Sequence, residues 1–470
     1  MSSKHSYDVI VIGAGTAGFS AVEAARFLGA SVCLIEKERL GGAFANDACI
    51  PSKALLRAAE FYRSLQDAKR FGVSVGTLSF QFADIMRYRE SVVDQRMGGK
   101  SGEYSETRLK ELGVDFISGI ARFEDDHLVS VGSEQMYGKA IVVATGSVDY
   151  VPQIVGLDAI HYLTRKDVLS KERQSKSIAI IGGGPAACEI ATFYAAFGTR
   201  VVLLQSAVRL LPEEDEECSK IIEEQMRRSG IEVVTKANIT EIVDGRGGVY
   251  GVKVTVDGVP TMHAVENVVL AAGKRFNGNE LGIEEVGVKC PDLGFIKVSK
   301  EQETNVSHIF AAGDACGNDF LTYTAKEEGA VAGYNAARVA LHKRVPKHVA
   351  NERTIPHVTF VEPELASVGL TAEDVKKRFS HVFVGRCAYS ELDRSFTDHE
   401  LVGLIKLVAH PTTHKILGGH IVGANAGEMI HEIALAIHLN ATSEKLSTMM
   451  HAYPTYAEGI RLAARRMKTE

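Results

Sequence analysis

The sequence predicts an α/β protein built on two Rossmann-like dinucleotide-binding units. Two observations carry that expectation. An apolar strand runs into a glycine-rich turn, a helical pattern and a second strand near the N-terminus, and the same grammar returns from Ser177 onward. A chain of 470 residues also leaves room for about three domains of roughly 150 residues, so a further domain is expected beyond the two units.

In the first unit the apolar run from Tyr7 to Ile12 meets Gly13, Gly15 and Gly18, a helical pattern follows to Leu28, and a strand from Ser31 ends at Glu36. Glycines at that spacing let a pyrophosphate approach the backbone at a helix N-terminus, and the acid accepts hydrogen bonds from ribose hydroxyls. The second unit runs from Ser177 to Ile181, through Gly182, Gly183, Gly184 and Ala187, along a helix to about Phe197, and up a strand from Arg200 to Leu204 that ends at Gln205. After each unit an apolar strand stops at a small-residue turn: Ala144-Thr145-Gly146 after the first, Ala271-Ala272-Gly273 after the second. Two such units imply two dinucleotides, or a duplication with one inactive copy.

Composition excludes several function classes. The chain is 24% charged with a net charge of −6, which gives no clustered positive charge for nucleic acid. No basic-then-apolar leader precedes the first strand and no run of about 18 apolar residues occurs, so a soluble, cytoplasmic protein is expected. The cysteines at 33, 49, 188, 218, 290, 316 and 387 are scattered and lack Cys-x-x-Cys spacing, which argues against a disulfide framework or a metal site.

The stretch Leu40 to Ala59 stands apart. It carries Gly42, Phe44 and Cys49 in a Gly/Ala-rich turn, then Ile50-Pro51-Ser52-Lys53, with a helix expected to open at Pro51. A later segment reads Ile309-Phe310-Ala311-Ala312-Gly313-Asp314. In this order, these segments resemble the class I flavin-dependent pyridine nucleotide-disulfide oxidoreductases, the group of dihydrolipoamide dehydrogenase and mercuric reductase, over nearly the whole chain. The resemblance implies FAD on the first unit, with Asp314 at its ribityl and pyrophosphate end, and NADH or NADPH on the second. It implies an FAD domain made of residues 1–150 and 274–345, a nicotinamide nucleotide domain at 151–273, and an α+β dimerisation domain at 346–470. Glu364 to Thr371 and Ile416 to Glu432 resemble that last domain, so a homodimer sharing its active sites between subunits is implied.

Against that family two residues are missing. Phe44 stands where the substrate-attacking cysteine is expected and Cys49 where the flavin-side cysteine is. In Tyr453-Pro454-Thr455-Tyr456-Ala457-Glu458, Tyr453 replaces the histidine base, and a phenol of pKa about 10 is a poor proton acceptor at pH 7. Both losses concern dithiol-disulfide interchange. Lys53 and Glu189 match the family's ion pair beside the flavin, so the part that reduces the flavin is retained. A helix beginning just after Cys49 favours its thiolate, and Asp47 opposes this.

These features point to an FAD enzyme that takes hydride from NAD(P)H and passes electrons to a small non-disulfide acceptor such as a quinone, a metal ion or oxygen. One alternative is a single-cysteine peroxidase or coenzyme A-type mixed-disulfide reductase using Cys49, with Tyr453 or Tyr456 as proton donor. Another is a binding component whose flavin is structural. Tyr453 with Glu458 to Ala463 also resembles the mercuric reductase branch, but that branch keeps the cysteine pair and adds C-terminal cysteines, which are absent here. Arg87, Tyr88, Tyr323 and Phe44 are candidates to line the acceptor pocket or to serve as packing. Gln205 and Ser206 lack the carboxylate of NAD-preferring members, and only Arg209 follows in the loop where NADPH-preferring members place arginines. The sequence leaves both nucleotides open, with a slight lean to NADH.

Overall fold

The computed structural model describes residues 5–245, 247–278, 280–291, 294–351 and 354–470. The chain divides into two compact units, one of residues 1–54, 86–150 and 273–352, the other of residues 55–85, 151–272 and 353–470.

The first unit is organised on a seven-stranded sheet. His5–Ile12 lies between Val32–Glu36 and Glu134–Val143, Asp115–Ser118 flanks the former, and Ile309–Ala311 pairs with the far end of the latter, all in parallel. Leu128–Val131 and Ala121–Phe123 add an antiparallel extension. The central strands are buried on both faces, which explains why His5–Ile12 reads as a continuous apolar run after its first residues and does not alternate. Helices Thr16–Phe27 and Thr322–Ala340 cross on one face of the sheet, and their axes come close because the contact residues are small. A Cβ on Gly329 would lie 2.1 Å from the carbonyl oxygen of Ala17, and one on Gly333 2.0 Å from that of Ala21.

The second unit holds a four-stranded parallel sheet in the order Glu232–Val234, Arg200–Leu204, Ser177–Ile181, Asn267–Leu270. Beside it stands an antiparallel meander of Asn238–Asp244, Tyr250–Val256 and Val259–Val265. Its C-terminal part is a six-stranded antiparallel sheet running from Pro356–Thr359 to the short strand Lys468–Thr469, covered by helices Ala426–His438 and Glu458–Arg465. Within it Leu404–Ala409 and Ile416–Val422 form an antiparallel pair. An ion network, buried at Lys406 and Asp215 and partly exposed elsewhere, ties this sheet to the nucleotide sheet's helix Glu216–Arg228. Lys406 lies 2.7 Å from Asp215 and from Glu217, and Arg386 reaches both Glu217 and Glu470. No described helix is long and apolar enough to cross a membrane.

Candidate active site

Two glycine turns of one design hold the ends of the parallel strands. Gly13 has φ +104° and Gly182 φ +125°; a Cβ would sit 2.3 Å from the carbonyl oxygen of Ala144 at the first and 2.2 Å from that of Ala271 at the second. Each turn is thus pressed against the small-residue turn that follows its unit, and only glycine fits there. The middle glycine of each turn stays open: nothing lies within 4 Å of a Cβ on Gly184, and only Gly42 Cα, at 3.9 Å, approaches one on Gly15. That is the space through which a pyrophosphate reaches backbone amides at the N-termini of helices Thr16–Phe27 and Pro185–Ala196. Gly18 and Ala187 lie buried in the first turns of those helices.

Glu36, at the end of its strand, accepts the N–H of Ala14 (2.7 Å) and that of Glu38 (2.7 Å). Its carboxylate is therefore aimed back over the glycine turn with lone pairs to spare for ribose hydroxyls. The residues of this unit fit FAD on a further observation. Thr145 Oγ1 is buried without a hydrogen-bond partner, next to Gly146 at φ +73°. Asp314 stands close by, accepting the hydroxyl of Ser147 (2.7 Å) and lying 3.9 Å from Lys274 Nζ. Gly273, at φ +119°, begins the segment that leads to Lys274–Phe276, which pairs with Ser147–Asp149. Glu328, which sequence reasoning passed over, is 3% exposed and accepts both the Gly313 N–H (2.7 Å) and the Asn318 amide (2.9 Å). It pins the turn that presents Asp314. Nothing in local sequence marks it, because it sits mid-helix in Thr322–Ala340.

Around Cys49 one sequence expectation is corrected. The helix does not open at Pro51 but runs Cys49–Asp67, preceded by the short helix Gly42–Asn46, so Cys49 is itself the first helical residue. Pro51 falls within the first turn, where its missing N–H has no intrahelical partner to lose. Lys53, one turn on, shares a helix face with Cys49. Cys49 Sγ lies 3.4 Å from Thr322 Oγ1. Tyr323 follows, and desolvation with Asp319 and Cys49 nearby pushes its phenol up to about 12. Asp47, expected to oppose a thiolate at Cys49, is paired with Arg39 at 3.2 Å. Gly42 has φ +58°, and a Cβ there would meet Gly15 Cα at 2.8 Å, so this stretch is seated directly on the first glycine turn.

Phe44 is half-buried against the first unit's core. Its ring lies 5.9 Å from that of Tyr104, and the guanidinium of Arg96 sits 5.7 Å from each. Of its two sequence roles, lining a pocket or packing, the contacts displayed are packing. Arg87 and Tyr88 are exposed on helix Phe82–Met97. None of the seven cysteines is joined in a disulfide. Burial pushes the thiol of Cys33 up to about 12 and those of Cys290 and Cys387 up to about 11.

In the second unit Glu189 is 7% exposed, and its Oε1 accepts the Phe360 N–H at 3.1 Å. Tyr453 is 69% exposed; its hydroxyl donates to Asp393 Oδ2 at 2.7 Å, and that carboxylate raises its pKa. Tyr456 is buried and donates to Asp398 (3.0 Å). Glu458 is bound to Arg461 at 2.7 Å and takes its place at the start of helix Glu458–Arg465. His451 offers no substitute base: its Nε2 faces Glu432 at 3.1 Å, its Nδ1 the carbonyl of Met449 at 3.3 Å, and its side chain is 4% exposed. A separate cluster of Asp126, His127 and His308 has its two imidazoles stacked at 3.8 Å with planes 10° apart. His127 Nδ1 lies 2.7 Å from the Gly138 carbonyl oxygen and His308 Nε2 2.7 Å from that of Asp126, so each ring already engages a backbone carbonyl.

The family profile described as pyridine nucleotide-disulphide oxidoreductase matches residues 7–337, and that of the family's dimerisation domain matches residues 355–464. The chain belongs to the pyridine nucleotide-disulphide oxidoreductase family. Among relatives, a mercuric reductase of Staphylococcus aureus is 32% identical over 97% of this chain and 82% of its own length. A dihydrolipoyl dehydrogenase of Bacillus subtilis (strain 168) is 30% identical over 97% of both chains. In fold it is similar to an HOCl-induced flavoprotein disulfide reductase of Escherichia coli, with a TM-score of 0.83 at 23% identity, covering 98% of this chain and 99% of that one. Members of this family use FAD and a reduced nicotinamide nucleotide, and this family member is an NAD(P)H-dependent flavoprotein oxidoreductase.

Proposed function

We propose that this oxidoreductase delivers electrons from NAD(P)H, through FAD, to a small acceptor that is not a disulfide: a quinone, a metal ion or oxygen. The observation that carries the reading is Phe44, an aromatic ring packed with Tyr104 and Arg96 at the position where the attacking thiol is needed. Bound FAD supplies a group that accepts hydride from reduced nicotinamide and releases its electrons to a second substrate. In this reading Gly13, Gly15, Gly18, Glu36, Gly42, Thr145, Gly146 and Asp314 hold FAD across residues 1–150 and 274–345. Gly182, Gly184, Ala187, Gln205 and Gly273 hold the nicotinamide nucleotide within residues 151–273.

In this reading Lys53 and Cys49, on one face of helix Cys49–Asp67, serve the reacting ring, and Glu189 is the matching acid carried by helix Pro185–Ala196. Tyr453 keeps its proton because Asp393 accepts its hydrogen bond, so it cannot deprotonate a thiol. To protonate an acceptor, its hydroxyl must first turn away from Asp393. Residues 346–470 make the homodimer contact, a reading supported by the exposed apolar side chains of Leu435, Leu439, Met449 and Met450 on the matched dimerisation domain.

The purified, FAD-loaded protein is expected to oxidise NAD(P)H with a quinone or dye and to leave lipoamide and glutathione disulfide unchanged. Turnover of either disulfide at a rate comparable with the quinone would overturn the reading.

A second reading, single-cysteine chemistry, draws support from Cys49 as first residue of a 19-residue helix, with its Sγ 3.4 Å from Thr322 Oγ1. Cys49→Ser separates the two: peroxide or mixed-disulfide turnover would disappear, whereas transfer to a quinone would survive.

A further inference from the structure

We infer that the second nucleotide site selects NADH over NADPH, through Gln205 and through the inward commitment of Arg209. The inference rests on the oxidoreductase reading and names its electron donor.

Gln205 follows strand Arg200–Leu204 and is 8% exposed. A Cβ on Gly183 would meet Gln205 Cβ at 2.8 Å and Cγ at 2.9 Å, so the stem of the glutamine lies across the second glycine turn. In the first unit Glu36 holds the equivalent place, reaching back to the amide of Ala14. An uncharged amide there offers both a donor and an acceptor to a ribose diol. A 2'-phosphate needs more, because removing two negative charges from water requires a cation at the site to compensate.

The loop from Gln205 to Asp215 contains one cation, Arg209. Its Nη2 donates to the carbonyl of Pro212 at 2.8 Å and to that of Glu214 at 3.2 Å, and its Nε is sealed from solvent. The guanidinium therefore closes its own loop, and its charge also bears on Glu216. The neighbouring segment brings Lys236, whose backbone N–H bonds to the carbonyl of Ala207 (2.8 Å), but its ammonium is paired with Asp257 at 3.4 Å. The residues that follow, Glu213 to Glu217, are five consecutive acids. Some are committed to Lys406 and Arg386, yet the run adds negative potential where a phosphate would need positive.

The test is calorimetric titration of the FAD-loaded protein with NAD+ and with NADP+, together with anaerobic reduction of the flavin by NADH and by NADPH. NAD+ is expected to bind at least about tenfold more tightly than NADP+. Arg209→Ala should leave that ratio unchanged, and Ser206→Arg, which adds a guanidinium on an exposed side chain, should raise NADP+ affinity about tenfold. Equal or tighter binding of NADP+, a selective loss of NADP+ affinity in Arg209→Ala, or binding of neither nucleotide would overturn the inference. If NAD+ binds preferentially but NADH fails to reduce the flavin, the specificity inference stands and the oxidoreductase reading falls.

Discussion

Tyr453 and its partner show what one carboxylate does to a phenol. Asp393 accepts the hydroxyl proton in a hydrogen bond, which favours the neutral form, so Asp393→Asn should bring phenolate absorbance in at lower pH. The checking measurement is an ultraviolet titration of Asp393→Asn against the parent, with Tyr453→Phe identifying the band. The pair is exposed, so both variants should melt close to the parent. Phe44 behaves differently. Phe44→Cys replaces a half-buried ring under the Arg96 guanidinium and should cost about 1–3 kcal/mol in denaturant unfolding. It should not confer lipoamide turnover, because Tyr453 still holds its proton and His451 is engaged at both ring nitrogens. Phe44 and Tyr453 could be singled out in the sequence because a motif fixes their positions. Asp393, Thr322, Arg96 and Tyr104 were not, since each reaches its partner from a distant segment and carries no local pattern.

Among elements, the crossing of helices Thr16–Phe27 and Thr322–Ala340 is the least forgiving. Gly329→Ala would drive a methyl into the backbone of Ala17, where no side chain can yield, and should cost about 3 kcal/mol or more along with FAD retention. Gly72→Ala, at φ +76° in open space, should cost only about 1 kcal/mol. Thermal melts of the two variants, with the flavin absorbance carried per protein, check the contrast. Glu328→Gln probes the same helix by another route. Its amide replaces one of two acceptor oxygens, leaving either Gly313 N–H or Asn318 facing a donor, and less flavin should be retained at equal folded protein. The strands and glycine turns that frame these helices were readable from periodicity and spacing, and Ser177–Ile181 and Arg200–Leu204 fall where expected. The start of the Cys49 helix was misplaced by two residues, because a proline is tolerated anywhere in a first turn and does not mark its first residue.

At the scale of the whole molecule, acid sensitivity has an identifiable origin in the second unit. Contact with Arg386 and Lys406 lowers the carboxyl of Glu217 from 4.5 to about 2. A depressed carboxyl contributes stability that is present above its unfolded value and is lost as pH falls through its folded value, so this contribution fades between about pH 4.5 and 2. Glu217 is partly exposed, and solvent screening leaves it worth about 1 kcal/mol at neutral pH. Glu217→Gln should therefore lower stability near pH 7 and flatten its decline in acid, as read from urea midpoints across that range.

The paired glycine turns have a longer consequence. Each rests on a carbonyl from its own unit, Ala144 for one and Ala271 for the other. A lineage carrying such a scaffold can exchange the residue that grips one adenosine, as Glu36 and Gln205 already differ, while its twin keeps its occupant. Independent drift of the two grips is thus built into the architecture.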